Sequence, residues 1–380
     1  MSVASENPVA IGIVGAGVIS EIYLQNLTTK FKHTRVIGIA DIVADAAKAR
    51  AEQFGIEALT VDELLEHPEI ELVLNLTIPA AHAEVATRAV NNGKSAFNEK
   101  PLAISREEGK ALLAAAEAKG VRVGAAPDTF LGGGLQTARQ IIDSGAIGEP
   151  VAASALMLGH GMESWHPNPY FFFQPGAGPL FDIGPYYLTA LTSILGPVAR
   201  VSSVARASFP ERIVGSGPRK GEKIPVNTPT HIVSSLEFES GVLSSFTQSF
   251  DVWDTNAATL VIYGTDGTLR LPDPNTFGGP IEILDRKNRS LPDDGTAKWG
   301  QRNDDKDWQT LPLTYGNTEN SRGLGLADLA AGLRSGEAHR ASAEMAYHVL
   351  DIMVSVLESS DAGKHIDIES TMERPAPVAQ

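Results

Sequence analysis

The chain has 380 residues, 43% of them hydrophobic and 20% charged, and its formal net charge is -15 at pH 7. That length supports two domains with substantial cores. The acidic surplus leaves nothing to neutralise phosphates, which argues against nucleic acid and anionic membrane as partners.

There is no Cys, so no disulfide or thiolate chemistry is expected, in keeping with a cytoplasmic protein. Met1 to Pro8 is polar and lacks the basic and apolar regions of a signal peptide. No apolar run reaches the roughly 18 residues of a membrane span. No metal is expected.

Val9 to Val14 predicts a buried parallel strand. It runs into Gly15-Ala16-Gly17-Val18-Ile19-Ser20, then a helical pattern with Ile22, Leu24 and Leu27. Gly-x-Gly-x-x-Ser is a variant of the dinucleotide fingerprint. The first Gly permits a tight turn, the second admits a pyrophosphate, and the third position must be small for helix and strand to pack. A glycine turn that binds nothing is the other reading.

Arg35 to Ala40 predicts a second strand, with Asp41 at its end, 26 positions after Gly15. The fingerprint expects an acidic residue about 20 positions on, where a carboxylate accepts from the ribose hydroxyls and repels a 2′-phosphate. Ile42 follows, not an Arg, which favours NAD over NADP. Alternatively Asp41 only caps the helix that starts near Val43.

Helices over Ala44 to Phe54, Val61 to Glu66, Ala80 to Asn91 and Arg106 to Lys119 alternate with strands over Glu71 to Leu76, Lys94 to Asn98 and Val121 to Ala125. Strand and helix alternating in this way predict a doubly wound parallel sheet, with ligands beyond the carboxyl ends of its strands. The tips there are Gly15 to Ser20, Asp41, Thr77 to Pro79, Asn98 to Pro101 and Pro127-Asp128.

The second half changes character. Gly132 to Ser144 reads as a helix, and Val151 to Leu158 opens a series of strands: Arg200 to Ala207, His231 to Phe238, Val242 to Phe250, Ala258 to Tyr263, Gly267 to Leu271 and Ile281 to Leu284. Successive strands predict an α+β domain with a large, mostly antiparallel open sheet. Phe209 to Pro229 and Asp285 to Pro312 read as long loops, each a lid or an oligomer contact. A helix over 341–359 closes the chain and is expected to pack back on the first domain. The expected division is 1–128 and 129–380.

Gly159 to Gly176 is dense in polar, aromatic, Gly and Pro residues. Glu163, Trp165, His166 and Asn168 supply what a sugar site needs, hydroxyl partners and a flat apolar face. The competing reading is a solvated loop whose Phe171 to Phe173 plug the core. Asp182 and Tyr186 are four apart, which on one helix places them on one face. A helix-capping Asp182 and a packed Tyr186 are the plainer alternatives.

Taken together, Gly15-x-Gly17-x-x-Ser20, Asp41, Glu99-Lys100-Pro101 and Gly176-x-Gly178-Pro179-Leu180-Phe181-Asp182-Ile183-Gly184-Pro185-Tyr186 resemble the glucose–fructose oxidoreductase / inositol dehydrogenase family of NAD(P)-dependent sugar enzymes, over nearly the whole chain. The resemblance implies a cis peptide before Pro101 and a Lys100 that reaches the reacting hydroxyl beside the nicotinamide. Cofactor contacts are expected from Gly15, Gly17, Val18, Ile19, Asp41, Ile42, Thr77, Pro79, His82, Glu99 and Lys100. Substrate contacts are expected from Lys100, Asp128, Glu163, Trp165, His166, Asp182 and Tyr186, and the open sheet together with the resemblance leads to the expectation of a homodimer or homotetramer.

Two positions depart from the family pattern. Thr77-Ile78-Pro79-Ala80-Ala81-His82 lacks the Asn many members carry there. Tyr186 stands where many dehydrogenases of the family have His, as in the glucose–fructose oxidoreductase branch.

Hydride removal from a secondary alcohol needs a base for the hydroxyl proton. A phenol titrates near 10, and a neighbouring ammonium favours its anion. Lys100 and Tyr186 are therefore read as a catalytic pair. Asp182 orients the substrate or Lys100, and His166 or His160 is the reserve base. The expected activity is NAD-dependent oxidation of a sugar, glycoside or polyol. The alternatives are an NAD-recycling glycoside hydrolase that oxidises C3 transiently, and a non-enzymatic NAD/sugar sensor.

Overall fold

The structure, a computed structural model, describes residues 7–379 except 167, 293, 295 and 299. Met1 to Glu6 and Pro167, which figure in the sequence reading, lie outside the described residues. Two compact units are present. One is Met1–Thr129 with Asn320–Val354 and Ser370–Ala376; the other is Phe130–Glu319 with Ser355–Glu369 and Pro377–Gln380. The chain thus returns to its first unit late, which a single boundary at residue 128 does not foresee.

The first unit holds six parallel strands: β1 (Val9–Val14), β2 (Thr34–Ala40), β3 (Glu57–Leu59), β4 (Leu72–Asn75), β5 (Ser95–Asn98) and β6 (Val123–Ala125), in the order β3-β2-β1-β4-β5-β6. Every residue of β1 and β4 is buried. Helices cover both faces of such a sheet, so its central strands read as unbroken apolar runs. The connecting helices are α1 (Ser20–Thr29), α2 (Ala44–Phe54), α3 (Val61–Glu66), α4 (His82–Asn91) and α5 (Arg106–Lys119).

Local chemistry sets the helix starts. Thr60 and Glu63 form a reciprocal capping box ahead of α3. The Ser105 hydroxyl accepts from the Glu108 N–H ahead of α5. The strand order reverses between β1 and β4, and ligands of this architecture bind outside the carboxyl ends at that switch point.

The second unit begins with α6 (Gly133–Asp143), β7 (Pro150–Leu158), α7 (Gly178–Asp182) and α8 (Gly184–Leu195). Strands β8 (Val198–Arg206), β9 (Glu211–Ile213), β10 (Lys223–Pro225), β11 (His231–Phe238), β12 (Leu243–Ser249), β13 (Leu260–Gly264), β14 (Gly267–Leu271), β15 (Ile281–Asp285), β16 (Gln309–Leu311) and β17 (Ile366–Asp367) follow. Nine of the strands form one sheet in the order β16-β15-β14-β13-β7-β12-β11-β8-β17. Its neighbours are antiparallel except β12, which runs parallel to β7.

Along β11, Ile232, Ser234, Leu236 and Phe238 are buried while Val233, Ser235 and Glu237 are exposed, so one face is packed and the other open. Every residue of α8 is buried. The two long loops of the sequence reading carry structure: β9 pairs with β10 as a separate hairpin, and β16 lies within the second.

Two further helices, α9 (Leu324–Ser335) and α10 (Ala343–Ala362), lie between β16 and β17. Residues 320–354, with all of α9, belong to the first unit. Among the described residues no helix is long and apolar enough to cross a membrane. No cluster of three or more His, Cys, Asp or Glu among them is placed to hold a metal ion.

Candidate active site

In the first unit, the turn after β1 is shaped by what it cannot accommodate. Gly15 has φ +110°, and a Cβ there would lie 2.6 Å from the Leu76 carbonyl carbon and oxygen, so only glycine fits. Nothing lies within 4 Å of where a Cβ of Gly17 would be, so the space over the loop is open. Ile19 precedes α1, and Ser20, fully buried, donates its hydroxyl to the Gly17 carbonyl at 2.6 Å. This small third residue lets α1 pack close to the sheet.

Asp41 is tied on both oxygens. Oδ2 accepts from the Ala16 N–H at 2.7 Å and Oδ1 from the Val43 N–H at 2.8 Å. Asp41 thus meets the entry of α2 and pins the tip of β2 to the glycine turn.

Val18 is 90% exposed, Ile42 96% and Ile78 70%, and all three follow carboxyl ends of strands in this sheet. Three large apolar side chains are thus left open on one rim of the sheet.

A buried polar lattice supports the next tips. Asn75, His82 and Asn98 are fully buried. Asn75 donates to the Asn98 side-chain carbonyl and to the His82 carbonyl, each at 3.0 Å. The Thr77 hydroxyl donates to Asn75 Oδ1 at 2.7 Å, and Asn98 donates to the Leu102 carbonyl at 3.1 Å. The ring nitrogens of His82 face the carbonyl oxygens of Pro101, at 2.6 Å, and Thr77, at 3.0 Å. Burial lowers the His82 pKa.

His82 is therefore corrected from a cofactor contact to a brace: its ring has no exposed surface and both nitrogens face backbone. Pro79 opens the short turn that leads into α4.

The Glu99-Lys100-Pro101 turn is held from three sides. The Tyr23 hydroxyl donates to Glu99 Oε1 at 2.8 Å, the Lys100 N–H donates to Glu99 Oε2 at 2.9 Å, and the Glu99 N–H donates to the Asn75 carbonyl at 2.8 Å. The Lys100–Pro101 peptide is cis, as the resemblance implies. Tyr23 is fully buried, and burial together with the Glu99 charge raises its pKa well above the usual phenol value. Lys100 is half-buried at the apex of this braced turn.

Asp128 is corrected as well. It is 1% exposed, and its Oδ2 accepts the N–H groups of Gly323 and Gly325 at 2.9 and 3.0 Å. It caps α9 and has no open side for a substrate. Burial raises its pKa to about 6, with the Glu99 charge adding to the effect.

In the second unit, Asp182 is the last residue of α7 and Tyr186 lies in the first turn of α8, with Ile183 between the two helices. The pair therefore does not sit on one continuous turn. Ile183, not Asp182, occupies the cap position of α8. Asp182 is half-buried and Tyr186 is 7% exposed.

The loop over 159–176 splits by depth. Phe172 and Phe173 are core, packed with Val214, Ile224 and Phe250, while Phe171 is 45% exposed. Trp165 is 63% exposed. The His166 ring stands edge-on to Trp165, Phe171 and Phe172 at 5.5, 5.7 and 5.0 Å, and its Nδ1 accepts from the Asn168 N–H. The Asn168 side chain accepts from Arg219 at 3.3 Å. Glu163, read as a sugar ligand, is 7% exposed and bonded to Arg212 at 2.7 Å. That carboxylate belongs to a buried ion cluster, which corrects the assignment.

Sequence reasoning missed Tyr23, Asn75 and Arg212, and it read Asn98 as a strand tip without foreseeing its place in the buried lattice. The signal for Asn75 is a polar residue at the end of an apolar strand. Tyr23 and Arg212 carry no local signal.

Comparison with known proteins agrees with this architecture. The family model described as "Oxidoreductase family, NAD-binding Rossmann fold" matches residues 9–126, and the one described as "GFO/IDH/MocA C-terminal domain" matches residues 135–270. An uncharacterized oxidoreductase of Schizosaccharomyces pombe is 30% identical over 252 residues, 62% of this chain and 66% of that protein. Levoglucosan dehydrogenase of Pseudarthrobacter phenanthrenivorans is 26% identical over 285 residues, 68% of this chain and 72% of that protein. A solved levoglucosan dehydrogenase in complex with NADH and L-sorbose shares the fold with a TM-score of 0.78 at 21% identity, covering 96% of this chain and 100% of that one.

Proposed function

The chain belongs to the GFO/IDH/MocA oxidoreductase family, and from that premise we propose that it oxidises a secondary hydroxyl of a sugar, glycoside or polyol with NAD as hydride acceptor. The observation that carries this reading is the Glu99-Lys100-Pro101 turn. It holds a lysine at a strand tip of an NAD-binding sheet by a buried lattice that includes Tyr23, Asn75 and His82. The dehydrogenase names of the relatives support net oxidation over redox-neutral glycoside cleavage.

The residues present fit a dinucleotide. Gly15 leaves no room for a side chain and Gly17 opens onto free space, which lets a pyrophosphate approach the start of α1. Asp41 would meet the adenosine ribose, and Val18, Ile42 and Ile78 would cover apolar faces of the cofactor. The carboxylate and the absence of an Arg at position 42 favour NAD over NADP. When bound, the nicotinamide supplies the hydride acceptor.

Within this reading Lys100 donates a hydrogen bond to the reacting hydroxyl and stabilises the developing alkoxide. Tyr186 takes the proton, and a cation beside its oxygen favours the phenolate it must become. Asp182 holds a neighbouring hydroxyl of the sugar. Trp165 offers a flat face for the C–H side of the ring, and His166 stands by as alternative base. The test is NADH formation measured against a panel of free sugars, polyols and glycosides, with sugar release followed in parallel. Sugar release without NADH would favour the redox-neutral cycle, and binding without either would favour a sensor.

The reading extends to assembly. The open face of the second-unit sheet exposes Val204, Val233, Leu243 and Tyr263, an apolar area suited to a second copy. A homodimer or homotetramer is the expected species, measured by light scattering on the eluting protein.

A further inference from the structure

The hairpin β9–β10 lies in a segment whose sequence suggests a lid, yet it is tied down. Arg212, on β9, is 5% exposed. Its Nε donates to Glu163 Oε1 at 2.7 Å, Nη1 to Asp251 Oδ1 at 2.9 Å, and Nη2 to the carbonyls of His160 and Phe250 at 2.5 and 3.0 Å. Asp251 is fixed in turn by the Thr230 hydroxyl at 2.7 Å. One guanidinium thus joins the hairpin, the start of the 159–176 loop and the segment after β12.

A second contact is independent of charge. The Gly215 N–H donates to the Glu163 carbonyl at 2.8 Å, and a Cβ on Gly215 would lie 2.9 Å from Ser164 Cα. Backbone therefore rests on backbone. Beneath it, Val214 and Ile224 of the hairpin share a core with Phe172, Phe173 and Phe250, against which Ile183 packs. Ile183 is the residue after Asp182.

Buried ion clusters are weak sources of net stability, because desolvation offsets most of their attraction. Their geometry is where they differ from an apolar core. A planar fork with several fixed donors holds its partners in one arrangement, which a lysine cannot reproduce. The loop it holds needs such a device, since Trp165 and Phe171 leave much of their surface uncovered.

We infer that Arg212 is a positioning residue. Through Glu163 and the His160 carbonyl it sets the orientation of Trp165 and His166, and so the fit of the sugar, without touching it. The inference rests on the reading that this loop meets the sugar. It also turns the hairpin from a lid into a fixed wall.

The test uses the full-length protein with R212K and G215A. The first keeps a cation but loses the fork; the second leaves every charge in place and wedges the hairpin off Ser164. Hydrogen exchange of residues 159–176, NADH affinity, and the kcat and KM of the best sugar are measured on each. The expected result is faster exchange in that segment, a sugar KM raised about ten-fold or more, and kcat at saturating sugar and NADH affinity retained.

Unchanged exchange in both variants would overturn the clamp. Faster exchange with an unchanged sugar KM would overturn the positioning role. A joint fall in kcat, NADH affinity and melting temperature would reduce Arg212 to a structural residue. Failure of the functional reading itself shows in the wild-type protein, as no sugar binding and no sugar-dependent NADH, and the positioning role falls with it.

Discussion

The buried hydroxyl of Tyr23 donates to Glu99 Oε1, and the other oxygen of the same carboxylate accepts the N–H of Lys100. A residue on the first helix thereby sets the orientation of a carboxylate 76 positions later, and that carboxylate anchors the backbone of the proposed catalytic lysine. The lysine's placement is then a property of the whole first unit and not of the three-residue motif.

Y23F tests that chain of contacts. It removes one hydrogen bond to a carboxylate, worth about 1.5–3 kcal/mol. If the bond orients the turn, kcat/KM for sugar falls about ten-fold or more while NADH affinity stays near wild type. Steady-state kinetics and a cofactor titration measure both. An unchanged kcat/KM would remove Tyr23 from the account.

Cofactor preference follows from Asp41 and Ile42. D41S with I42R removes the anion and supplies a guanidinium for a 2′-phosphate. Its expected effect is a rise in KM for NAD and a fall in KM for NADP, each about ten-fold. Because Asp41 also holds the Ala16 and Val43 N–H groups, a lower melting temperature should accompany the change.

Asp128 gives the fold a pH dependence with a definite sign. Its pKa in the folded state, about 6, lies above the ordinary value of 3.8. The native state therefore binds this proton more tightly than the unfolded chain does. The stabilisation is fully present below pH 3.8 and is lost as pH rises through 6. D128N removes this titration while keeping a carbonyl oxygen for Gly323 and Gly325. The melting temperature of the wild type relative to D128N should fall between pH 4 and pH 6.5. A flat difference would show that Asp128 titrates normally, and a rising one that its pKa is lowered; either would contradict the raised value.

Much of the first unit is legible in its sequence because buried parallel strands leave apolar runs and helix ends leave Ser, Thr and Gly. The bounds of Val9–Val14, Ala44–Phe54, Val61–Glu66 and Arg106–Lys119 follow directly from those signals. The edge strand Glu57–Leu59 escapes because it has no buried residue, so no pattern marks it. Helix α9 escapes because its start, Gly323-Leu324-Gly325, lacks a local cap; the cap is Asp128, far back in the chain.

The site divides in the same way. The glycine turn, Asp41 and the Glu99-Lys100-Pro101 turn stand out because their chemistry is local. His82, Asp128 and Glu163 have the residue types of ligands, yet burial turns them into braces. Glu163 and Asp251 lie 49 and 39 positions from Arg212, so the buried ion cluster has no trace in any local pattern. What a polar side chain does here is decided by which distant segment packs over it.

In the proposed reaction Lys100 acts on the substrate hydroxyl. The most direct measurement is sugar-dependent NADH formation by K100M beside the wild type, with NADH affinity measured on the same samples. Turnover should fall by about a thousand-fold or more while NADH still binds. Turnover retained within about ten-fold of wild type, with the protein folded and NADH bound, would contradict it.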